Sequence, residues 1–452
     1  MEKKYFMGLL LVSGISMHAQ FGALDHSLNP GTGADNLIQV VALQQDEKII
    51  IGGDFLSYDG NTKKRLARLN TDGSIDPTFN IGSGANKLIL DAVIQPDSKV
   101  IVTGEFTIFN NTSKKRIARL NQDGSIDNTF NIGYGANNII TNCLLQPDGK
   151  ILIGGIFTSF NWIARNGIAR LNADGSLDTT FDYDGDPMEV IDIEMQPNGQ
   201  YIVNATNKLI RLNADGSTDT SFYSGSGTDY PIQTILIQND GKILIGGYFT
   251  SYDGFAINRI VRLESNGIID TTFNYGIAAD YGVLAISEQP DGKIIISGLF
   301  SKYNDIPREK IARLYPDGTL DESFDPALGP DNIVLNHSIQ PDGRILIAGD
   351  FNGYNGVARN KIARISGYNM LSTPENVVGQ LNLWPNPVTN LLHIVFPETG
   401  YTTSVTIHDL HGKTLLESST SESIDVSKLS SGVYIVSVTT NNGKYISRFI
   451  KQ

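Results

Sequence analysis

The sequence predicts an all-β protein: a seven-bladed β-propeller closed by its N-terminal strand and followed by a small C-terminal β-sandwich. Three observations lead to this prediction. A phrase of the type Gln-Pro-Asp-Gly-Lys recurs seven times, runs rich in β-branched residues flank each copy, and the two ends of the array are incomplete in complementary ways. The composition agrees, because 18% charged and 40% hydrophobic residues with 46 glycines are typical of a folded chain.

The first 19 residues form a segment of their own. Lys3 and Lys4 precede an apolar run at residues 5–12, and the segment ends in small and polar residues around Ala19. This order is typical of a secretory signal peptide, with cleavage expected after Ala19. The run is too short to anchor the chain in a bilayer, and we expect no transmembrane segment elsewhere.

The repeats fill most of residues 20–367. Their anchor glutamines are spaced by 51, 51, 50, 42, 51 and 51 residues: Gln44, Gln95, Gln146, Gln196, Gln238, Gln289 and Gln340. A complete copy has an apolar segment, the anchor turn, a β-branched run ending in glycine, an aromatic loop, an Ala-Arg-Leu segment and a final segment of the type Leu-Asp-x-Thr-Phe. Asp-Gly turns provide the positive-φ glycine of tight hairpins, so we predict four antiparallel strands per repeat. Seven such units predict a propeller.

The two ends of the array predict how the ring closes. The seventh repeat lacks its last segment after Gly367, and residues 24–29 supply a matching one near the start. A solenoid would instead require capping repeats. We expect this N-terminal strand to pair with residues 361–365 and to provide Asp25 for Arg364, because closure removes exposed sheet edges.

A second β domain is predicted at residues 380–452, after a linker at residues 368–379 that interrupts the repeat. Strands are indicated at residues 391–395, 405–407 and 433–438, with turns between them. Several short strands in about 75 residues predict a small sandwich.

Two known families resemble these segments. The repeated phrases Gln-Pro-Asp-Gly-Lys, Gly-Gly-x-Phe-Thr-Ser-Tyr and Ala-Arg-Leu-Asn-x-Asp-Gly-Ser-x-Asp-x-Thr-Phe cover residues 24–367. They resemble the delta-60 repeats, a family of bacterial propeller-forming units, which implies a β-propeller but no particular activity.

The C-terminal phrases carry the second resemblance. They are Leu383-Trp384-Pro385-Asn386-Pro387, Asp409-Leu410-His411-Gly412-Lys413, Leu429-Ser430-Ser431-Gly432-Val433-Tyr434 and the final Arg448-Phe449-Ile450-Lys451-Gln452. In order and position they are similar to the C-terminal sorting domain of the type IX secretion system. The resemblance implies a Bacteroidetes-type host, and the type IX machinery and its surface protease as partners. It also implies a location in the medium or on the outer-membrane surface, reached through the periplasm.

Composition and motifs exclude several functions. The net charge of −13 offers no basic surface for nucleic acid. The single cysteine, Cys143, excludes a disulfide framework and a cysteine zinc cluster. Outside the leader and the tail only His26 and His337 remain, and no serine-nucleophile, zinc-protease or complete calcium-loop motif occurs. We therefore expect no enzyme activity, no metal and no cofactor.

One arginine and one aspartate recur in every repeat. Examples are Arg68 with Asp76, Arg170 with Asp178, and Arg364 with the N-terminal Asp25. Each arginine lies in an apolar strand, where an unpaired charge is costly, so we predict structural ion pairs and not catalytic groups. The sequence leaves open whether each partner belongs to the same blade or to its neighbour.

A ring of short, mostly polar residues is predicted around the propeller axis. Its members stand four residues before each anchor: Val40, Asp91, Asn142, Asp192, Thr234, Ala285 and Asn336. The channel that they line would hold water, or a bound cation or small polar ligand.

Further candidates for ligand binding come from the loops. The aromatic loops contain Trp162 and Phe255 at positions that look exposed, whereas their recurring aromatic residues are expected to pack between blades. The fourth repeat lacks the loop, which predicts a notch near Glu189, Asp192 and Glu194.

These features favour a non-enzymatic, exported propeller that binds glycan or protein. One alternative is a polysaccharide-acting enzyme that uses the carboxylates near the notch, since glycosidases work with paired acids. A scaffold without a ligand is a third possibility.

Overall fold

The computed structural model describes residues 21–367, 377–379, 382–395, 402–408, 414–418, 423–440 and 443–452. These residues are organised in β-strands and turns, and the chain divides between Tyr368 and Asn369 into two compact units. The predicted signal peptide lies outside the described residues. Among the residues that are described, no helix has the length and apolar character needed to cross a membrane.

The first unit contains seven antiparallel sheets of three strands each, one per repeat. The inner strands are Ile38–Leu43, Ile89–Ile94, Ile140–Leu145, Val190–Met195, Ile232–Ile237, Val283–Glu288 and Val334–Ile339. The middle strands are Ile49–Gly53, Val100–Gly104, Ile151–Gly155, Tyr201–Ala205, Ile243–Gly247, Ile294–Gly298 and Ile345–Gly349. The outer strands are Leu66–Leu69, Ile117–Leu120, Ile168–Leu171, Lys208–Leu212, Ile260–Leu263, Ile311–Leu314 and Ile362–Ile365.

The inner strands form a closed ring. Each contacts the inner strand of the next blade, and the seventh contacts the first. The hydrophobic core lies between neighbouring blades, as in the cluster that joins Ile50 of the first blade to Val102 of the second. This arrangement is the predicted seven-bladed propeller.

Glycine ends most of the middle strands because neighbouring residues approach their backbone closely. A Cβ atom at Gly52 would lie 2.8 Å from the Ile89 side chain of the next blade, and one at Gly53 would lie 2.3 Å from the Leu37 carbonyl oxygen of the same blade. A side chain at Gly53 would therefore displace the start of the inner strand, which explains the recurring glycine at the end of the β-branched run.

Six blades carry a two-stranded hairpin between the middle and outer strands. The hairpin strands are Ser57–Tyr58 with Asn61–Thr62, Ile108–Phe109 with Thr112–Ser113, Ser159–Phe160 with Ile163–Ala164, Ser251–Tyr252 with Phe255–Ala256, Lys302–Tyr303 with Ile306–Pro307, and Gly353–Tyr354 with Val357–Ala358. The fourth blade has none, because a tight turn joins Ala205 directly to Lys208.

The prediction of a fourth strand in each repeat is wrong. Its residues form a single bridge to the outer strand, such as Leu69 with Ile75, and the chain then turns. The Asp76 carboxylate accepts hydrogen bonds from the backbone N–H and the hydroxyl of Thr78, at 2.9 and 2.7 Å. This Asx-type turn competes with extended pairing, so each sheet has three strands.

The N-terminal segment pairs with the seventh blade where the sequence predicts, although through one bridge and not a continuous strand. Leu24 lies opposite Ile365, and the Asp25 N–H donates to the Arg364 carbonyl at 2.8 Å. Leu28 is buried in a cluster that also contains Leu346 of the seventh blade.

The second unit contains two sheets. One orders the strands Val377–Gly379, Gly443–Lys451, Gly432–Thr440, Thr402–His408 and Thr414–Ser418, and the other orders Asn382–Trp384, Leu391–Val395 and Ser423–Asp425. Both sheets contribute to one buried cluster, for example through Val436 and Leu392. The predicted linker extends too far, because Val377–Gly379 pairs in parallel with the C-terminal strand. Two consecutive valines favour that extended pairing.

Candidate functional site

The repeated arginine and aspartate residues form ion pairs within single blades. The Arg68 Nε lies 2.7 Å from the Asp76 Oδ2, and the Arg68 Nη1 donates to the Gln122 carbonyl of the next blade at 2.7 Å. The seven pairs are Arg68–Asp76, Arg119–Asp127, Arg170–Asp178, Arg211–Asp219, Arg262–Asp270, Arg313–Asp321 and Arg364–Asp25. Burial alone would raise the pKa of Asp76, but hydrogen bonds from Thr78, Lys48 and Arg68 hold it well below its ordinary value. The guanidinium of the pair thus links its own blade to the next one.

The recurring aromatic residues of the hairpins are buried. They are Phe55 and Tyr58, Phe106 and Phe109, Phe157 and Phe160, Phe249 and Tyr252, Phe300 and Tyr303, and Phe351 and Tyr354. The Tyr58 hydroxyl donates to the Gly73 carbonyl at 2.9 Å, and Tyr303 repeats this contact with Gly318 at 3.0 Å. These rings are therefore core residues and are not free to stack on a ligand.

Trp162 and Phe255 differ from those rings, since 73% and 62% of their surfaces are exposed. Trp162 lies at a hairpin tip with its ring centroid 4.1 Å from that of Tyr134. The Lys115 ammonium lies 3.3 Å from the Tyr134 ring centroid, so one face of this small stack is already occupied.

Phe255 lines an apolar groove of the propeller surface, which we call the fifth-blade groove. Its volume is about 770 Å³, and its walls include Tyr223, Ile257, Ile268 and Phe273. Tyr223 and Ile268 are 48% and 51% exposed, whereas Ile257 is buried at the base. Five aromatic or aliphatic side chains therefore meet at one concavity of ligand size.

The groove residues depart from the repeat pattern. Tyr223 stands where other repeats have Asn29, Asn80, Asn131, Asp182, Asn274 and Asp325. Ile257 replaces Lys63, Lys114, Arg165, Arg308 and Arg359, and Ile268 replaces Ser74, Ser125, Ser176, Ser217 and Thr319. Phe255 is the only aromatic residue at its hairpin position. Alignment of the repeats with one another identifies Tyr223, Ile257 and Ile268, which the motifs alone do not predict.

The fifth-blade groove has polar as well as apolar walls, among them the Asp253 carboxylate. The Tyr223 hydroxyl donates to the Asp253 Oδ2 at 2.8 Å. Hydrogen bonds from the Ser226 N–H and from Tyr223 lower the pKa of Asp253, so its carboxylate is ionised at neutral pH. Asn274 also lines the groove, and its described lining contains no lysine or arginine.

The predicted notch of the fourth blade exists, but it separates the three acids predicted to act there. Glu189 is exposed in a groove of about 540 Å³ with Met188 and Thr206. Asp192 and Glu194 instead line the axial channel. The reason is position in the chain, because Glu189 precedes the inner strand Val190–Met195 whereas the other two lie within it. Two of the three acids, Asp192 and Glu194, therefore share one cavity, and Glu189 does not.

All seven residues of the predicted ring line the axial channel, whose volume is about 530 Å³. Their side chains connect neighbouring blades near the axis. The Asp91 Oδ2 accepts from the Cys143 N–H at 2.8 Å, and the Asp192 Oδ2 accepts from the Ile235 N–H at 2.7 Å. The Asn142 Nδ2 donates to the Asp192 Oδ1 at 3.0 Å. Asn336 accepts from the Val41 N–H at 3.4 Å, across the junction of the seventh and first blades.

The three channel acids lie close together and are half-buried. Removal from water raises the pKa of Asp91 and, together with the Asp91 charge, raises the pKa of Asp192 above its ordinary value. Removal from water and the Asp192 charge likewise raise the pKa of Glu194. Proximity of like charges in a channel makes ionisation of all three acids at once costly.

The residues of the sorting motif that the structure describes support the C-terminal strand. Asn386 accepts from the Ile450 N–H at 2.8 Å, and the Tyr434 ring stacks on Phe449 with centroids 5.7 Å apart. Pro385 and Pro387 flank Asn386 on the surface. Leu429 packs against the core, and Gly432 pairs with Lys451. Gly412 and Lys413 lie outside the described residues.

Two family models match the chain. One, described as "Domain of unknown function (DUF5122) beta-propeller", matches residues 44–79, 95–130, 146–181, 196–222, 238–273, 289–324 and 340–366. The other, described as "Secretion system C-terminal sorting domain", matches residues 382–452. No curated protein matches the chain.

Solved structures of similar fold include two extracellular domains from B. thetaiotaomicron. That of the hybrid two-component system BT3049 is 11% identical, with 94% of this chain and 56% of that chain covered and a TM-score of 0.51. That of BT4673 is 12% identical, with coverages of 95% and 59% and a TM-score of 0.49. The chain thus spans less than two thirds of either structure. The similarity to the BT3049 structure agrees with the propeller fold and gives no information about activity.

Proposed function

Because the chain belongs to the DUF5122 family of β-propellers and ends in a Secretion system C-terminal sorting domain, we propose that its propeller binds a neutral glycan outside the cell. The sorting domain marks the chain as cargo of the type IX secretion machinery, bound for the cell surface or the medium. Processing by the surface protease of that system belongs to the same proposal.

The observation that carries the proposal is the fifth-blade groove. Positions that serve the fold are expected to carry similar residues in all seven repeats. A cluster of residues that differ from the repeat pattern in one blade therefore requires another explanation. Tyr223, Phe255, Ile257 and Ile268 all depart from the pattern toward larger or more apolar side chains, and all four line one groove. Exposed apolar surface costs solubility, which supports a binding role for it.

The chemistry of the groove favours a glycan. Sugars present apolar C–H faces edged by hydroxyl groups, which suits the flat rings of Tyr223 and Phe255 beside the Asp253 carboxylate and the Asn274 amide. A volume of about 770 Å³ is in the range of small-ligand sites. The ionised Asp253 and the lack of a base in the described lining disfavour acidic sugars.

A non-enzymatic role is part of the proposal. Glycoside hydrolysis uses two acids on either side of a bound sugar, and the exposed acid of the notch, Glu189, has no second acid in the described lining of its groove. In the fifth-blade groove, Asp270 is held in ion pairs with Arg262 and Lys242, at 2.7 Å each, and serves the fold.

The test is a glycan array probed with the full chain, followed by calorimetric titration of any neutral oligosaccharide that binds. Phe255→Ala should weaken binding at least tenfold, because truncating an aromatic residue at the centre of a site costs about 2 kcal/mol. Tyr223→Ala should have a similar effect. The matched controls are Thr112→Ala and Asn80→Ala, which change the equivalent positions at the second blade and should leave the affinity unchanged.

Three results would contradict the proposal. Binding that survives both groove substitutions but is lost with Trp162→Ala would move the site to the Tyr134–Trp162 stack. Capture of a defined protein and no glycan would make the propeller a protein receptor. Release of reducing ends from a bound oligosaccharide would make the protein an enzyme.

A further inference from the structure

The axial channel is acidic and contains no compensating base in its described lining. Asp91, Asp192 and Glu194 line it, and the remaining lining residues are neutral. The fifth-blade groove opens elsewhere, since the two cavities share no residue. The channel is therefore a second feature, independent of the proposed glycan site.

Two channel residues depart from the repeat pattern. Glu194 occupies the position filled by Ala42, Val93, Leu144, Leu236, Ser287 and Ser338 in the other blades. His337 occupies the position filled by Val41, Ala92, Cys143, Ile193, Ile235 and Ile286. The inner strands of the other blades fold with small or apolar residues at these two positions. The side chains of Glu194 and His337 are therefore not needed to form a blade.

Buried polar atoms at the channel lack partners. His337 is only 6% exposed; its Nδ1 lies 2.7 Å from the Ser297 hydroxyl, and its Nε2 has no hydrogen-bond partner. The Oδ1 of Asn142 also has none. A buried polar atom without a partner costs about 1–3 kcal/mol, so a polar occupant of the channel would be stabilising. Burial lowers the pKa of His337 to about 4, and the neutral ring does not balance the acids.

We propose that the channel binds a hydrated divalent cation beside Asp192 and Glu194. Among the described residues no three acids or histidines lie close enough together to coordinate a metal directly, so the contacts run through the water shell of the ion. Mg²⁺ fits this description, because it gives up its waters reluctantly and is commonly held by one or two carboxylates. A channel of about 530 Å³ has room for roughly 18 waters at about 30 Å³ each, enough for an ion with six waters.

The experiment titrates Mg²⁺ into the full chain by calorimetry at constant pH and ionic strength. Wild type should bind one ion. Glu194→Gln should weaken binding at least tenfold, because it removes a channel carboxylate while keeping the size of the side chain. Glu194→Leu repeats the test with the residue found at Leu144 and Leu236, which folds at this position in two other blades.

The matched control is Glu189→Gln, which removes an exposed acid of the same blade outside the channel. It should leave Mg²⁺ binding unchanged. Equal binding in wild type and both Glu194 variants would overturn the proposal. So would a crystal grown with Mn²⁺ that shows water and no anomalous scattering peak in the channel.

Discussion

Replacing Asp321 by alanine is expected to destabilise the propeller much more than the same change at Asp219. Both residues pair with the arginine of their own blade, but the surroundings differ. The side chains of Arg313 and Asp321 are 0% exposed, whereas those of Arg211 and Asp219 are 11% and 15% exposed. Without Asp321, the Arg313 guanidinium stays buried, with the Phe21 and Phe324 ring centroids 4.7 and 5.1 Å away.

The magnitudes follow from this difference in exposure. Removing one partner of a buried ion pair costs about 3–5 kcal/mol, because the other charge is left without compensation. A pair that water reaches costs about 1 kcal/mol to break. An unfolding entropy of about 2.1 cal/mol/K per residue gives roughly 0.7 kcal/mol/K for a propeller of about 350 residues. The expected fall in melting temperature is therefore about 4–7 °C for Asp321→Ala and about 1–2 °C for Asp219→Ala.

Differential scanning calorimetry of the full chain and of both variants measures these shifts, with circular dichroism to verify that each variant is folded. Asp219→Ala serves as the matched control, because it removes the same group from the same position of another blade. Equal shifts for the two variants would refute the reasoning, as would a loss of less than about 2 °C for Asp321→Ala. Either result would mean that the arginine finds other compensation when its partner is removed.

Two further predictions concern the ends of the chain. Deleting residues 21–29 should lower the melting temperature, because it exposes the seventh outer strand and leaves Arg364 without Asp25; a variant that melts like wild type would show that this pairing is dispensable. Deleting residues 380–452 should leave a folded propeller in the periplasm, and fusing them to a signal peptide and an unrelated reporter should bring the reporter to the surface or medium. Both effects should require a functional type IX apparatus, and normal export of the truncated chain would contradict them.

The sequence predicts features that depend on spacing. The ring around the axis follows from a fixed offset to the anchor glutamine, and the structure places Asp91, Asn142 and Asn336 in one channel. The arginine and aspartate pairs follow from the cost of a buried charge. Spacing could not show that each guanidinium also reaches a carbonyl of the next blade, as Arg170 does with Ala214 at 2.5 Å.

Prediction from the sequence fails where local hydrogen bonds, or contacts between residues far apart in the chain, determine the structure. The Thr78 N–H donates a hydrogen bond to the Asp76 carboxylate, and the resulting turn replaces the predicted fourth strand. Strand propensities of the individual residues do not include this local hydrogen bond. The fifth-blade groove needs Tyr223 from the end of one repeat and Phe255 from the hairpin of the next. Reading each repeat alone finds Phe255 and misses its neighbour.

The N-terminal segment makes closure of the ring depend on the whole array. Asp25 and Arg364 are 339 residues apart in the sequence, yet they lie in one blade. Six other blades lie between these two residues in the chain. The ion pair that joins the N-terminal segment to the strand Ile362–Ile365 can therefore form only in a chain that contains all seven repeats.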